Sequence, residues 1–276
     1  MIDWTRLFDF TDYDKLLPLV TNSLIAGALL ALVGGLVGVF VMTRQLSFAV
    51  HGISELSFAG AAIFLLIGLD VVVGSLVGSL TATAIIAFLG EKAKDRNSIV
   101  AVLMPFGLGV GILALSLYPG RAANKFGLLT GQIVAVDEPQ LLSMAVMVAV
   151  SLLSLLLIWR PLTFASLDSE VAVARGVNTK LLGIAFMAIL GVTVASAVQI
   201  VGALLVLALL VTPAAAALRL STSQLWVPVI SVSFAFIAMI GGMLLALGSS
   251  LPISPYITTV SFVLYLIARL IEKVRK

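Results

Sequence analysis

The chain has 276 residues, 61% of them hydrophobic and 11% charged, with a net charge of +3, one histidine and no cysteine. A soluble domain is usually about half apolar and a quarter charged, so that class is excluded. The lack of cysteine rules out disulfides, thiolate metal sites and cysteine nucleophiles.

The N-terminal stretch MIDWTRLFDFTDYDK carries four aspartates and lacks the basic n-region of a signal peptide. Apolar segments follow at about 17–42, 46–68, 71–90, 98–118, 140–159, 181–198, 199–218, 226–247 and 253–270. Runs of this length read as membrane-spanning helices, and the short alternating segments of a membrane barrel are not visible. The expectation is an all-α polytopic membrane protein of about nine (eight to nine) transmembrane helices, one unit over residues 1–276. Only Gln199 and Gly202 mark the boundary between the sixth and seventh segments. Lys and Arg placement sets the orientation. With the C-terminus in the cytoplasm and nine spans, twelve of the sixteen basic residues fall inside, among them Arg44, Lys92, Lys94, Arg96, Arg160, Arg175, Lys180 and Arg219. Arg6, Lys15, Arg121 and Lys125 fall outside, with the acidic N-terminus. Gly34 and Gly38, and Gly74 and Gly78, form GxxxG pairs. Small residues at this spacing let helix backbones approach in lipid. Packing within the chain is the expected use, and a dimer seam the alternative.

The second segment opens with SFAVHGISELSFAG, which places His51 and Glu55 one turn apart on one helix face, near Ser47 and Ser54. An ionisable group in a span is by default a candidate functional site. Imidazole nitrogen with carboxylate oxygen suits zinc, manganese or iron, whereas calcium prefers oxygen alone. Two such residues do not complete a coordination shell. A structural hydrogen bond, or a pair placed near the headgroups, would read the same way. Lesser candidates are Asp70, Asn124, Asp137, Glu138 and Gln199, with Asp137 and Glu138 read as solvated loop charges. In the polar stretch 160–180, SLDSEVAVARGVNTKLLG reads as a short amphipathic helix at about 166–177. Ser166 or Asp168 suits its cap and Glu170 its first turn. Arg175 and Gly176 suit its end.

These two features in this order resemble the permease subunits of zinc, manganese and iron ABC transporters, the ABC-3 family. In that family the second span carries D-A-x-S-H-A-x-x-x-G; here HGISELSFAG occupies it, with His51 in the place of the Asp and Glu55 in the place of the His. The family's loop F-D-P-E-x-A-x-x-x-G-V is matched by LDSEVAVARGV, in which Asp168, Glu170, Ala172, Gly176 and Val177 agree and Ser169 replaces Pro. VGALLVLALLVTPAAAA (Val201 to Ala217) and GLLTGQIVAVDEPQL, before the fifth span, are also similar; LPISPYIT departs from the family's P-S-G pattern.

The resemblance implies the vitamin B12-type importer permease fold, a homodimer in a prokaryotic cell (inner) membrane, and a transported divalent metal ion rather than a resident cofactor. It implies metal contact by His51 and Glu55. It also implies docking of a cytoplasmic ABC ATPase dimer on the helix bearing Asp168, Glu170, Arg175 and Gly176, and metal delivery by an extracellular binding protein. No nucleic-acid partner is implied. The chain has no G-x-x-x-x-G-K-[ST] and is expected not to be an enzyme itself. A metal-chelate permease for a siderophore or vitamin B12 is an alternative. A proton-coupled transporter is another, although no internal repeat is evident. A zinc protease of the H-E-x-x-H type is excluded by the single histidine.

Overall fold

A computed structural model describes residues 13–90, 93–120, 136–203, 205–247, 249 and 253–275. The N-terminal charges up to residue 12, Lys92, Arg121, Asn124, Lys125 and most of the stretch before the fifth span lie outside them, as do the first two residues of LPISPYIT and the side chain of Lys94.

The described residues are helical, with no strand among them. A short α1 (Tyr13–Leu16) and a 3-10 turn lead into α2 (Thr21–Thr43), followed by α3 (Ser47–Leu66), α4 (Val71–Leu89), α5 (Ala93–Leu117) and α6 (Glu138–Leu167). The short α7 (Ser169–Ala174) precedes α8 (Thr179–Val201), then come α9 (Val206–Leu210), α10 (Thr212–Leu220), α11 (Trp226–Leu247) and α12 (Ser254–Arg275). Seven helical stretches among these are long and apolar enough to cross a membrane. The nine apolar segments all reappear as helix, with two corrections. The seventh is not one straight span. Its first residues finish α8, and the remainder is the short pair α9 and α10. The fifth is longer than its apolar run, because α6 continues through Arg160 and Pro161 to Leu167. A proline inside a helix removes one backbone donor, yet the helix runs on. At about 1.5 Å per residue its 30 residues exceed a hydrocarbon core about 30 Å thick.

α3 packs against both α4 and α5, and α8 packs on α4, α6 and α3. α2 contacts α11 and α6, while α10, α11 and α12 pack together at its side. Glycines set the close crossings. A Cβ on Gly78 would collide with the Leu56 carbonyl, and one on Gly60 with the Gly74 carbonyl, so α3 and α4 meet backbone to backbone. A Cβ on Gly38 would collide with the Leu210 carbonyl, and Gly34 sits against Leu209. Both GxxxG pairs therefore pack inside the chain, as expected. Buried hydroxyls add hydrogen bonds between helices: Ser231 donates to the Gly35 carbonyl at 2.7 Å, and Ser75 donates to the Ala195 carbonyl at 3.2 Å. Arg219 meets Glu272 at 2.8 Å and lies 5.3 Å from the Tyr265 ring centroid, tying α10 to α12.

Replacing Gly78 or Gly38 by valine forces these backbones apart. Overpacking of this kind costs about 1–3 kcal/mol, so each variant should show a lower thermal midpoint in detergent than the parent. An unchanged midpoint would contradict the packing.

Candidate metal contact and cytoplasmic docking helix

α3 starts at Ser47 directly after a tight turn in which the Leu46 amide donates to the Val41 carbonyl at 2.8 Å. His51 and Glu55 thus sit in its first half, one turn apart. Glu55 is 3% exposed, and the His51 side chain is about a quarter exposed. Nδ1 of His51 lies 3.9 Å from Oε1 of Glu55, beyond hydrogen-bonding range. Nδ1 of His51 and Oε2 of Glu55 are both buried and have no hydrogen-bond partner. A buried polar atom left unmatched is costly. The structural hydrogen bond considered for this pair is therefore not made.

Around the pair, the protein supplies little else that ligates. The Ser54 hydroxyl donates to the His51 carbonyl at 2.8 Å and is thereby engaged. Gly107 of α5 packs against the Glu55 backbone, where a Cβ would come 2.9 Å from the Glu55 carbonyl carbon. Among the described residues no group of three or more His, Cys, Asp or Glu is placed to hold a metal ion. The pair offers one imidazole and one carboxylate, and further donors would have to come from water or another chain.

The lesser candidates separate cleanly. Asp70 caps α4 by accepting from the Val73 amide at 2.9 Å, and Asp137 caps α6 by accepting from the Gln140 amide at 2.8 Å. Gln199 is 5% exposed, and both its amide atoms are buried without a hydrogen-bond partner. It lies one turn beyond Ala195, near the end of α8. Sequence reading missed Ser57 and Ser75, whose hydroxyls meet at 2.7 Å in the buried crossing of α3 and α4. A serine in a span commonly bonds its own helix, so nothing in the sequence marks these two as a pair.

The second group forms one compact feature. Asp168 ends α6 and caps α7, its Oδ1 accepting from the Val171 amide at 2.9 Å. Ser166 is not the cap; its hydroxyl donates to the Leu162 carbonyl at 2.6 Å. Glu170 stands in the first turn of α7, and Ala172 is fully buried beneath it. After Arg175, Gly176 adopts φ +82, and the Val177 amide returns to the Ala172 carbonyl at 3.0 Å. That left-handed turn favours glycine. Asn178 then caps α8 by accepting from the Leu181 amide at 3.0 Å. Asp168, Glu170, Arg175 and Gly176 are all exposed, as are the apolar Leu167, Val171 and Val173. α7 therefore presents charged and apolar groups together, anchored by caps at each end.

A bundle of this kind, with a short capped helix between two spans and a His–Glu pair with a buried carboxylate in a third, is that of a multi-pass membrane transport subunit. The chain belongs to the ABC 3 transport family, whose family model matches residues 17–272. It is 27% identical over 262 residues to the manganese import system permease protein ScaB of Streptococcus parasanguinis, covering 94% of this chain and 93% of that one. It is also 27% identical to the manganese transport system membrane protein MntC of Listeria monocytogenes, over 80% of this chain and 79% of that one. Among solved structures, PsaBC from Streptococcus pneumoniae in complex with Fab superposes with a TM-score of 0.83 at 24% identity, over 93% of this chain and 95% of that one. An inward-facing metal-chelate type ABC transporter superposes with a TM-score of 0.69 at 16% identity, over 91% of this chain and 85% of that one. The superpositions show the fold of an ABC transporter permease.

The local geometry of α7 predicts two separable effects. Asp168→Ala removes a cap worth about 1 kcal/mol. Gly176→Ala places a Cβ in a left-handed turn at a cost of about 1–2 kcal/mol. Hydrogen exchange should rise across 168–178 in both variants, with the spans unaffected; protection equal to the parent would show that neither feature holds α7.

Proposed function

We propose that this chain is the permease subunit of an ATP-driven importer of a divalent transition-metal ion, with manganese the first cargo to test and zinc and iron the others. The observation that supports this most directly is the buried Glu55 carboxylate, whose Oε2 has no hydrogen-bond partner, beside a His51 Nδ1 in the same condition. A cation passing between them would match both atoms. Manganese accepts carboxylate and water ligands readily, and imidazole also suits zinc and iron. Relatives named for manganese import and for manganese transport support testing manganese first.

In this reading a binding protein outside the cell delivers the ion, which exchanges part of its water shell for His51 and Glu55. Contact must be weak enough to release, as in any conduction site. The two donors of one chain leave the shell incomplete, so water or the second permease of a homodimer supplies the rest. An ATPase dimer docks on α7, where Leu167, Val171 and Val173 offer apolar contact beside Glu170 and Arg175. ATP-driven closure shifts α7, and α6 and α8, which pack against it, carry the motion to the pathway. This places α7 and the C-terminus in the cytoplasm.

His51→Ala and Glu55→Ala should each lower manganese uptake into proteoliposomes at least about tenfold, a magnitude like that seen when supporting residues of metal sites are lost. Copurification with the ATPase should be unchanged. Parental uptake in both variants would remove the site assignment, and competition by zinc and iron in the same assay orders the cargoes.

Metal binding also requires a neutral imidazole and an ionised carboxylate. Protons compete for both groups, so ion affinity should be full at neutral pH and fall as the pH drops below the ordinary histidine range near about 6.5. Affinity that stays flat to pH 5 would show that the imidazole does not ligate.

Glu170→Ala and Gly176→Pro test the other end. They should leave metal affinity intact and reduce uptake per ATP hydrolysed. Unchanged uptake would overturn docking at α7.

A further inference from the structure

A cavity of about 500 Å³ opens at the end of the bundle that carries α7, where the α2–α3 and α4–α5 connections meet α6 and α8. Three cations line it, Arg44, Arg96 and Lys180, and so do the hydroxyl residues Thr43, Ser166, Ser169 and Thr179. No carboxylate is among its described lining residues. Gly183 lines the wall, where a Cβ would come into ordinary contact with Arg44 Nη2 at 3.6 Å.

The two arginines are held in place by neutral partners. Arg44 Nη1 donates to the Ser166 hydroxyl at 3.3 Å, and Arg96 Nη2 donates to the Gln45 carbonyl at 3.4 Å. Nε of Arg96 is buried with no hydrogen-bond partner. Burial, and after it the nearby Arg96 guanidinium, holds Arg44 below the ordinary arginine range. Two like charges brought together out of water are unfavourable unless an opposite charge joins them. A guanidinium fork matches phosphate oxygens, and the charge-assisted bonds are among the stronger ones. Basic pockets between spanning helices are suited to acidic headgroups.

We propose that this cavity binds a phosphate group, held by Arg44 and Arg96 with help from Ser169. The group is either the headgroup of an anionic lipid or a free phosphate. Once bound, it bridges α2, α5 and the first residue of α7, and so braces the mount of that helix. The proposal does not depend on the His51–Glu55 reading, because the two groups of residues are separate.

The test uses the permease purified with its ATPase in detergent. Native mass spectrometry follows retention of phosphatidylglycerol against phosphatidylcholine, and equilibrium dialysis follows inorganic phosphate. The parent should hold at least one of the two phosphate probes, with phosphatidylglycerol preferred over phosphatidylcholine. Arg44→Gln and Arg96→Gln should each weaken that binding about tenfold, the size expected for a lost charge-assisted bond. Gly183→Leu, which keeps both guanidinia and fills the space, should abolish it, whereas Arg160→Gln, a basic residue not lining the cavity, should not change it. Displacement of the lipid by inorganic phosphate assigns a free phosphate, and retention assigns the lipid; either result supports the site. Equal binding by the parent and a folded Arg44→Gln/Arg96→Gln variant overturns it. So does loss of the ATPase from that variant with lipid retention intact, since the cations would then serve the protein partner.

Discussion

Between helices in lipid no hydrophobic force operates, so contact energy must come from close approach. Glycines on α3 and its neighbours supply that approach here. Gly60 and Gly78 bring the α4 backbone against α3 from one side, and Gly107 brings α5 against the Glu55–Leu56 backbone from the other. With both flanks closed at main-chain distance, the middle of α3 is buried on nearly every face. A carboxylate set into such a helix can lie inside the protein rather than in lipid. The burial of Glu55 is thus a consequence of glycine placement on three helices, and its want of a hydrogen-bond partner follows from the apolar and glycine surfaces that enclose it.

A second constraint concerns backbone that is not helical. In the hydrocarbon region, irregular backbone is tolerated only where protein covers it or water reaches it. The break between α8 and α9 meets the first condition. Val201, Gly202 and Ala203 are buried, with Gly202 at φ +78. Leu209 and Leu210 beyond it rest on Gly34 and Gly38 of α2, and the Ser261 hydroxyl of α12 reaches the Ala208 carbonyl at 3.3 Å. Pro213 near the start of α10 needs no donor there, which suits a second start. The short pair therefore stands behind α2 as packing for the glycine face, and Gln199 lies at its entrance.

What the sequence made legible divides along the same lines. Hydropathy located every long helix, because an apolar run of spanning length has few other uses. It misplaced the seventh segment because a break among VGALLVLALLV leaves the composition apolar on both sides; only the positive φ of Gly202 distinguishes it. It ended the fifth span too early because Arg160 and Pro161 look like a boundary, although a helix that outruns the bilayer can carry both. His51 and Glu55 were visible as a pair because four residues along a helix are neighbours in any fold. Arg44 and Arg96 were not. Arg44 follows α2 and Arg96 stands in the first turn of α5, and each reads alone as an ordinary cytoplasmic charge until the packing of α2, α5 and α6 puts them on one cavity.

The order of the His–Glu pair also has a physical reading. The family pattern has the acid first and the imidazole four residues later, whereas this chain has the reverse and the longer acid. Side chains on a helix lean toward its N-terminus. A carboxylate at the second position must therefore reach back toward a histidine one turn earlier, a rise of about 6 Å. Glutamate has the extra methylene for that reach, and its Oε1 comes to 3.9 Å from Nδ1 of His51. Aspartate at residue 55 would hold its carboxylate closer to its own turn and farther from the imidazole. Histidine first and glutamate second thus keep one nitrogen and one carboxylate side by side on the same face of α3.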